Sequence, residues 1–171
     1  DMTGTERIFG SPRLAAEKMR QRIWDELGFT VNVGISSNKL LAKMAGDLEK
    51  PNKVHTLFPE EMETKMWPLP VRDLFLVGRA TEKKLNGLGI YTIGDLAKTE
   101  LSVLKKRLGK HGETIWHYAN GRNAEMVTPE PEENKGYGNS TTTPEDVLTY
   151  THAYQVILSL CETVAMRMRQ D

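Results

Sequence analysis

Apolar residues recur at helical spacing through Ala16, Met19, Ile23 and Leu27, between Ser11-Pro12 and Gly28. Serine before proline supplies an N-cap and a first helical position, and glycine stops the run, so this pattern predicts an amphipathic helix. From Thr30 to Ser36 the period changes to two, with Val31, Val33 and Ile35 on one face and Thr30, Asn32 and Gly34 on the other. That is the period of a half-buried strand, and Gly34 leaves its other face open to close approach. A second helix is expected from Ser37 to about Glu49, gathering Leu40, Leu41, Met44, Ala45 and Leu48 on one side with Lys39 and Lys43 nearly opposite. Lys50-Pro51-Asn52 then turns the chain into a short strand around Val54 to Phe58. Helix, strand, helix, strand makes an α/β layer.

Beyond Pro59 the pattern breaks into short helical pieces separated by glycines 78, 87, 89, 94, 109, 112 and 121, which predicts an all-helical module. Residues 125–133 carry prolines 129 and 131 and four glutamates, the composition of a linker. Tyr137 to Thr143 has strand propensity, Pro144 ends it, and Thr149 caps a helix bearing Ala153, Ile157, Leu160, Val164 and Met168. One strand and one helix bury no core of their own, so this last domain is expected to be incomplete. The expected fold class is α+β and helix-rich, with domains at 1–58, 59–124 and 137–171 and an acidic linker at 125–136.

Composition narrows the function classes. The 171 residues hold 23 Lys plus Arg and 23 Asp plus Glu, so global charge selects no partner, and distribution has to decide. From Arg79 to Arg122 there are nine Lys or Arg against four Asp or Glu, a basic module ahead of an acidic linker, which favours a phosphate partner. Apolar runs fall far short of the roughly 18 residues a membrane span needs, and no signal-like segment opens the sequence, so the expected location is cytoplasmic. Cys161 is the single cysteine, which excludes an internal disulfide or a cysteine-rich zinc site, and its place in an apolar stripe predicts a buried small hydrophobe. His111 and His117 lack an acidic partner at ligand spacing, and no metal site is expected.

Periodicity reads the lysines of 39–50 simply as a solvated helix face. The residues themselves say more. Gly34-Ile35-Ser36-Ser37-Asn38-Lys39-Leu40-Leu41-Ala42-Lys43-Met44-Ala45, then Asp47-Leu48 and Lys50-Pro51-Asn52, closely resemble a signature of Y-family translesion DNA polymerases of the DinB/UmuC type. The resemblance implies a palm layer over 1–58, a helix-hairpin-helix thumb over 59–124 and the start of a little finger over 137–171. It further implies a nucleotidyltransferase for DNA repair within an SOS response, with primer-template DNA and deoxynucleoside triphosphates as partners. In that family the lysine before Pro-Asn reaches the triphosphate of the incoming nucleotide, and it maps onto Lys50. Lys53 stands where the family usually has glycine.

Relatives use two Mg2+ ions held by carboxylates upstream of the Asp1-Met2-Thr3-Gly4 stretch, so the expectation is a fragment with no catalytic residue, no metal of its own and no polymerase activity alone. Asp1 does not match a ligand position, and Asp47 reads as a tether for local backbone or a neighbouring cation. Sliding-clamp contact is left to regions outside these residues.

Leu74 to Leu88 with Gly89-Ile90 resembles the first thumb hairpin, implying phosphate contact by Val77, Gly78, Arg79 and Thr81. Leu76 there replaces the first of the two usual glycines. Gly109, Lys110 and Gly112 form a second half-match, ahead of a helix in which Trp116 and Tyr118 read as core residues rather than base-stacking platforms. Lys105, Lys106 and Arg107 read equally as a solvated face. Lys135 to Pro144 is similar to the first little-finger strand, implying backbone contact by Ser140, Thr141 and Thr142, or else an ordinary edge strand. A non-catalytic helix-hairpin-helix module of a repair protein remains the alternative, and it leaves the palm signature unexplained.

Overall fold

A computed structural model describes residues 1–128 and 135–170. It divides into two compact units, Asp1–Val127 and Thr128–Asp171, each described here by itself. Half of the expected acidic linker, residues 129–134, lies outside the described residues.

In the first unit a short helix α1 (Glu6–Phe9) leads into α2 (Pro12–Leu27), capped by the Ser11 hydroxyl accepting from Leu14 N–H and ended by Gly28 at φ 72°. Of the expected apolar stripe, Ala16 is buried and Ile23 half-buried, while Met19 and Leu27 remain exposed. Strand β1 (Val33–Ile35) is shorter than the pattern predicts, and β2 (Val54–Thr56) pairs with it in parallel, Gly34 opposite His55. The ladder is bounded by the turn at Lys50–Lys53 and by the chain's departure after Leu57 N–H donates to Ile35 C=O at 3.1 Å. All three β1 residues are half-buried instead of alternating.

The reason is the helix between the strands, α3 (Lys39–Asp47), capped by Asn38 and burying Leu40, Leu41, Met44 and Ala45. It lies directly on Gly34, where a Cβ would sit 1.9 Å from the Ala42 carbonyl oxygen and 2.4 Å from Gly46 N. Backbone-to-backbone contact of this kind admits no side chain.

After β2 come α4 (Met62–Lys65), α5 (Arg79–Asn86), α6 (Ile93–Lys98), α7 (Leu101–Leu108) and α8 (Lys110–Ala119). The α/β layer and this helical module share one hydrophobic core, in which Leu41, Met44 and Leu57 join Met66, Leu74, Leu85, Ile93, Leu104 and Ile115. A polar bond reinforces the junction, Asn38 Nδ2 donating to Gly121 O at 3.1 Å, and within the helical module Trp67 Nε1 donates to Ala119 O at 3.1 Å.

In the second unit, α9 (Tyr150–Gln170) starts where expected, with His152 N–H donating to Thr149 Oγ1 at 3.2 Å. The strand expected over 137–143 is not formed, and the segment is coil attached to α9 by Arg167 Nη1 donating to Gly138 O at 3.0 Å. Propensity alone makes no strand without a ladder partner. α9 has no buried residue: of its stripe Ala153, Leu160 and Val164 are half-buried, while Ile157, Met168 and Cys161, the last expected to be buried, are exposed among the described residues.

Candidate nucleotide and nucleic-acid interface

The lysine turn is built from its flanks. Asn32, at the entry to β1, donates through Nδ2 to Gly46 O at 3.1 Å and Glu49 O at 3.2 Å, and its Oδ1 accepts from Lys53 N–H at 3.1 Å. One side chain thus ties the end of α3 to the exit of the turn. The Lys50–Pro51 peptide is cis, and Asn52 takes the left-handed conformation at φ 59°. Asparagine tolerates that conformation, and Lys53 is not at positive φ, so position 53 does not require a glycine's freedom. Lys50 stands at the surface with its side chain 61% exposed, its Nζ 2.7 Å from Asp47 Oδ1, and Lys43 Nζ lies 3.5 Å from Asp47 Oδ2. The hydrogen bond from Lys50, and after it the charge of Lys43, hold the Asp47 carboxyl below its ordinary range despite some burial. Asp47 thus tethers neighbouring cations, one of the two roles its sequence position suggested, whereas the part played by Asn32 was not legible as a site feature in the pattern. Only the polar residue interrupting an apolar strand entry marks Asn32.

The first hairpin runs through Leu74 to Thr81. Leu76, standing where a glycine was expected, adopts φ 73° and is exposed, so the tight turn forms without the glycine. A leucine there carries strain of about 1–2 kcal/mol. Gly78 is extended at φ −91°, with nothing near the position of a Cβ, and it forms the N-cap of α5. Val77 is buried and its N–H donates to Leu74 O at 3.0 Å, closing the turn. The N–H groups of Gly78, Arg79, Ala80 and Thr81 have no acceptor among the described residues. They are the free donors of a helix N-terminus.

The second hairpin repeats this at Gly109, φ 63°, which ends α7 and opens α8. Lys110 is exposed and the N–H groups of Lys110 and His111 have no acceptor among the described residues. Gly112 is buried. A Cβ there would meet the Leu104 carbonyl oxygen at 2.5 Å, so α7 and α8 pack closely at this glycine, and its N–H donates to Gly109 O at 3.1 Å. Thr81 Oγ1 and His111 Nε2 lie 3.4 Å apart, bringing the two hairpins together. Trp116 and Tyr118 are partly buried against the core, with Trp116 Nε1 donating to Thr99 O at 3.0 Å and Tyr118 stacked on Phe75. Lys105 pairs with Glu113 at 2.8 Å. In the second unit Ser140, Thr141 and Thr142 are exposed on coil.

Among the described residues no group of three or more His, Cys, Asp or Glu could hold a metal ion, and the Asp1 carboxylate accepts from Thr3 N–H and Oγ1. These residues do not fit a two-cation centre. No described helix is long and apolar enough to cross a membrane.

A lysine turn on a parallel α/β layer thus shares one core with two adjacent hairpins whose helix N-termini present free N–H donors, the kind of donor that suits an anion. The impB/mucB/samB family matches residues 1–47, and the thumb domain of DNA polymerase-iota matches residues 72–123. DNA polymerase IV of Clostridium acetobutylicum is 46% identical over 154 residues, covering 90% of this chain and 39% of that protein. DNA polymerase IV 2 of Bacillus subtilis is 41% identical over 174 residues, covering 99% of this chain and 42% of its own length. Among solved structures, a Y-family DNA polymerase chimera of Dbh and Dpo4 superimposes with a TM-score of 0.71 at 26% identity, covering 98% of this chain and 48% of that one. DinB from Sulfolobus solfataricus gives a TM-score of 0.60 at 28% identity, covering 72% and 37%. The chain belongs to the Y-family DNA polymerases, and it spans about two fifths of the length of the curated relatives it matches.

Proposed function

We propose that these residues are the nucleotide-facing and backbone-gripping part of a DNA-directed DNA polymerase for translesion synthesis. The observation that carries this reading is the presence, on one core, of an exposed lysine at a fixed turn and two neighbouring hairpins with free N–H donors. Lys50 contributes a point charge to the triphosphate of the incoming nucleotide. Gly78, Arg79 and Thr81 at one hairpin, and Lys110 at the other, which Gly109 shapes through its positive φ, hold primer-template phosphates through N–H groups and side-chain charge. Such contacts fix position and carry no sequence information, which suits an enzyme that copies any template. Ser140, Thr141 and Thr142 add backbone contact from the second unit. The Mg2+ ions, any sliding-clamp contact, induction in an SOS response and cytoplasmic action belong to the complete polymerase.

The alternative, a non-catalytic DNA-binding module, accounts for the hairpins but gives Lys50 and the Asn32-pinned turn no task. The hairpin assignment is tested by primer-template binding as a function of salt, in a full-length polymerase carrying this sequence. Replacing Arg79 and Lys110 together with alanine should weaken binding at every sequence and lower the salt slope by about two. An unchanged slope would remove both residues from the interface.

A further inference from the structure

We propose that Asp47 is a positioning residue for nucleotide binding, its carboxylate fixing the Lys50 ammonium beside the Asn52 turn and so setting the affinity for a nucleoside triphosphate. The proposal rests on the assignment of Lys50 to the triphosphate and goes beyond it by naming what aims the lysine. The Asp47 carboxylate is divided between two cations, with Lys50 Nζ at 2.7 Å from Oδ1 and Lys43 Nζ at 3.5 Å from Oδ2. Lys43 is itself held from the far side, 5.0 Å from the centroid of the Phe75 ring, which stacks on Tyr118 at 6.3 Å. The anchor of the nucleotide lysine therefore reaches into the helical module that carries the first hairpin.

A nearby carboxylate can act on a triphosphate site in two opposite ways. It can repel the ligand and occupy the lysine, or it can restrict a long flexible side chain to the geometry the ligand needs. The arrangement favours the second. An ammonium has three N–H donors, so Lys50 keeps two for phosphate oxygens while one stays on Asp47. Two lysines against one carboxylate leave the trio at net charge +1, and the local field still attracts an anion. Asp47 also sits one turn before Lys50 at the end of α3, whose last turn Asn32 ties to the lysine turn, so the carboxylate is aimed by rigid backbone. Side-chain exposures of 42% for Asp47 and 61% for Lys50 keep the effect modest.

Single-nucleotide incorporation at saturating primer-template, in a full-length polymerase carrying this sequence, tests this with Asp47→Asn, Lys50→Ala and the double variant. Asp47→Asn should raise KM for the nucleotide about two- to fivefold, the range of an exposed ion pair, with kcat and DNA affinity little changed. Asp47→Glu, which keeps the charge one methylene further out, should recover part of the loss. In the Lys50→Ala background Asp47→Asn should add nothing, because the group it positions is gone. A KM that stays level or falls in Asp47→Asn, or that rises by the same factor with and without Lys50, overturns the proposal. If Lys50→Ala itself leaves incorporation intact, the nucleotide assignment fails as well, and the two failures are told apart by that single variant.

Discussion

At the residue scale, two glycines twelve positions apart face each other across the layer and have opposite tolerance. Gly34 admits no Cβ because the α3 backbone occupies its place, whereas a Cβ at Gly46 would meet Gly34 N at an ordinary 3.6 Å. Denaturant unfolding should therefore show Gly34→Ala destabilised by about 2–3 kcal/mol through overpacking. Gly46→Ala, in a helix interior, should be neutral or stabilised by up to about 1 kcal/mol. The open face at Gly34 was legible from the sequence, and the partner filling it was not, since strand period says nothing of which helix returns. Leu76 shows the converse: a leucine stands where a glycine is usual, yet it takes positive φ in a turn that Val77 N–H closes onto Leu74 O. Val77 and Gly112 matched a motif, and their N–H groups bond to Leu74 O and Gly109 O, partners that no local pattern records.

At the element scale, caps decide where the short helices of the thumb begin. Asp95 accepts from the N–H of Thr92 at 2.9 Å and of Tyr91 at 3.1 Å, while Thr92 Oγ1 accepts from Asp95 N–H at 3.0 Å, a reciprocal capping box on α6. Those N–H donors, Thr92 first, lower the Asp95 carboxyl from its ordinary value. A depressed carboxylate contributes stability that is present above its unfolded pKa, about 3.9, and is lost as pH falls through the lower folded value. Glu61, lowered by Lys65 and by Phe58 N–H, adds to the same acid limb. In unfolding titrations below about pH 4, Asp95→Asn should flatten the pH dependence, and an unaltered slope would show that the box does not hold in solution. The box follows from Thr92 and Asp95 at their spacing, so capping is readable locally. The absent strand at 137–143 is not, because pairing depends on a partner elsewhere in the chain.

At the scale of the whole molecule, the lysine turn and the hairpins lie in one compact unit whose core joins the α/β layer to the helices. Motif order made that partnership visible as a family resemblance. The shared core and the closeness of Thr81 to His111 are products of tertiary packing, which no local pattern records. The half-buried stripe of α9 and the exposed Cys161 likewise depend on what packs against the helix, so an apolar period predicts full burial where the described residues of the second unit give only part of it. The division of labour, nucleotide at Lys50 and DNA backbone at the hairpins, is the central claim. Its most direct measurement is nucleotide incorporation by a Lys50→Ala variant of a full-length polymerase carrying this sequence, at saturating primer-template, beside its DNA affinity. The account predicts a loss of about a hundredfold in kcat/KM for the nucleotide, as for removal of one donor to developing phosphate charge, with DNA affinity nearly unchanged. Weakened DNA binding with normal incorporation at saturating DNA would contradict it.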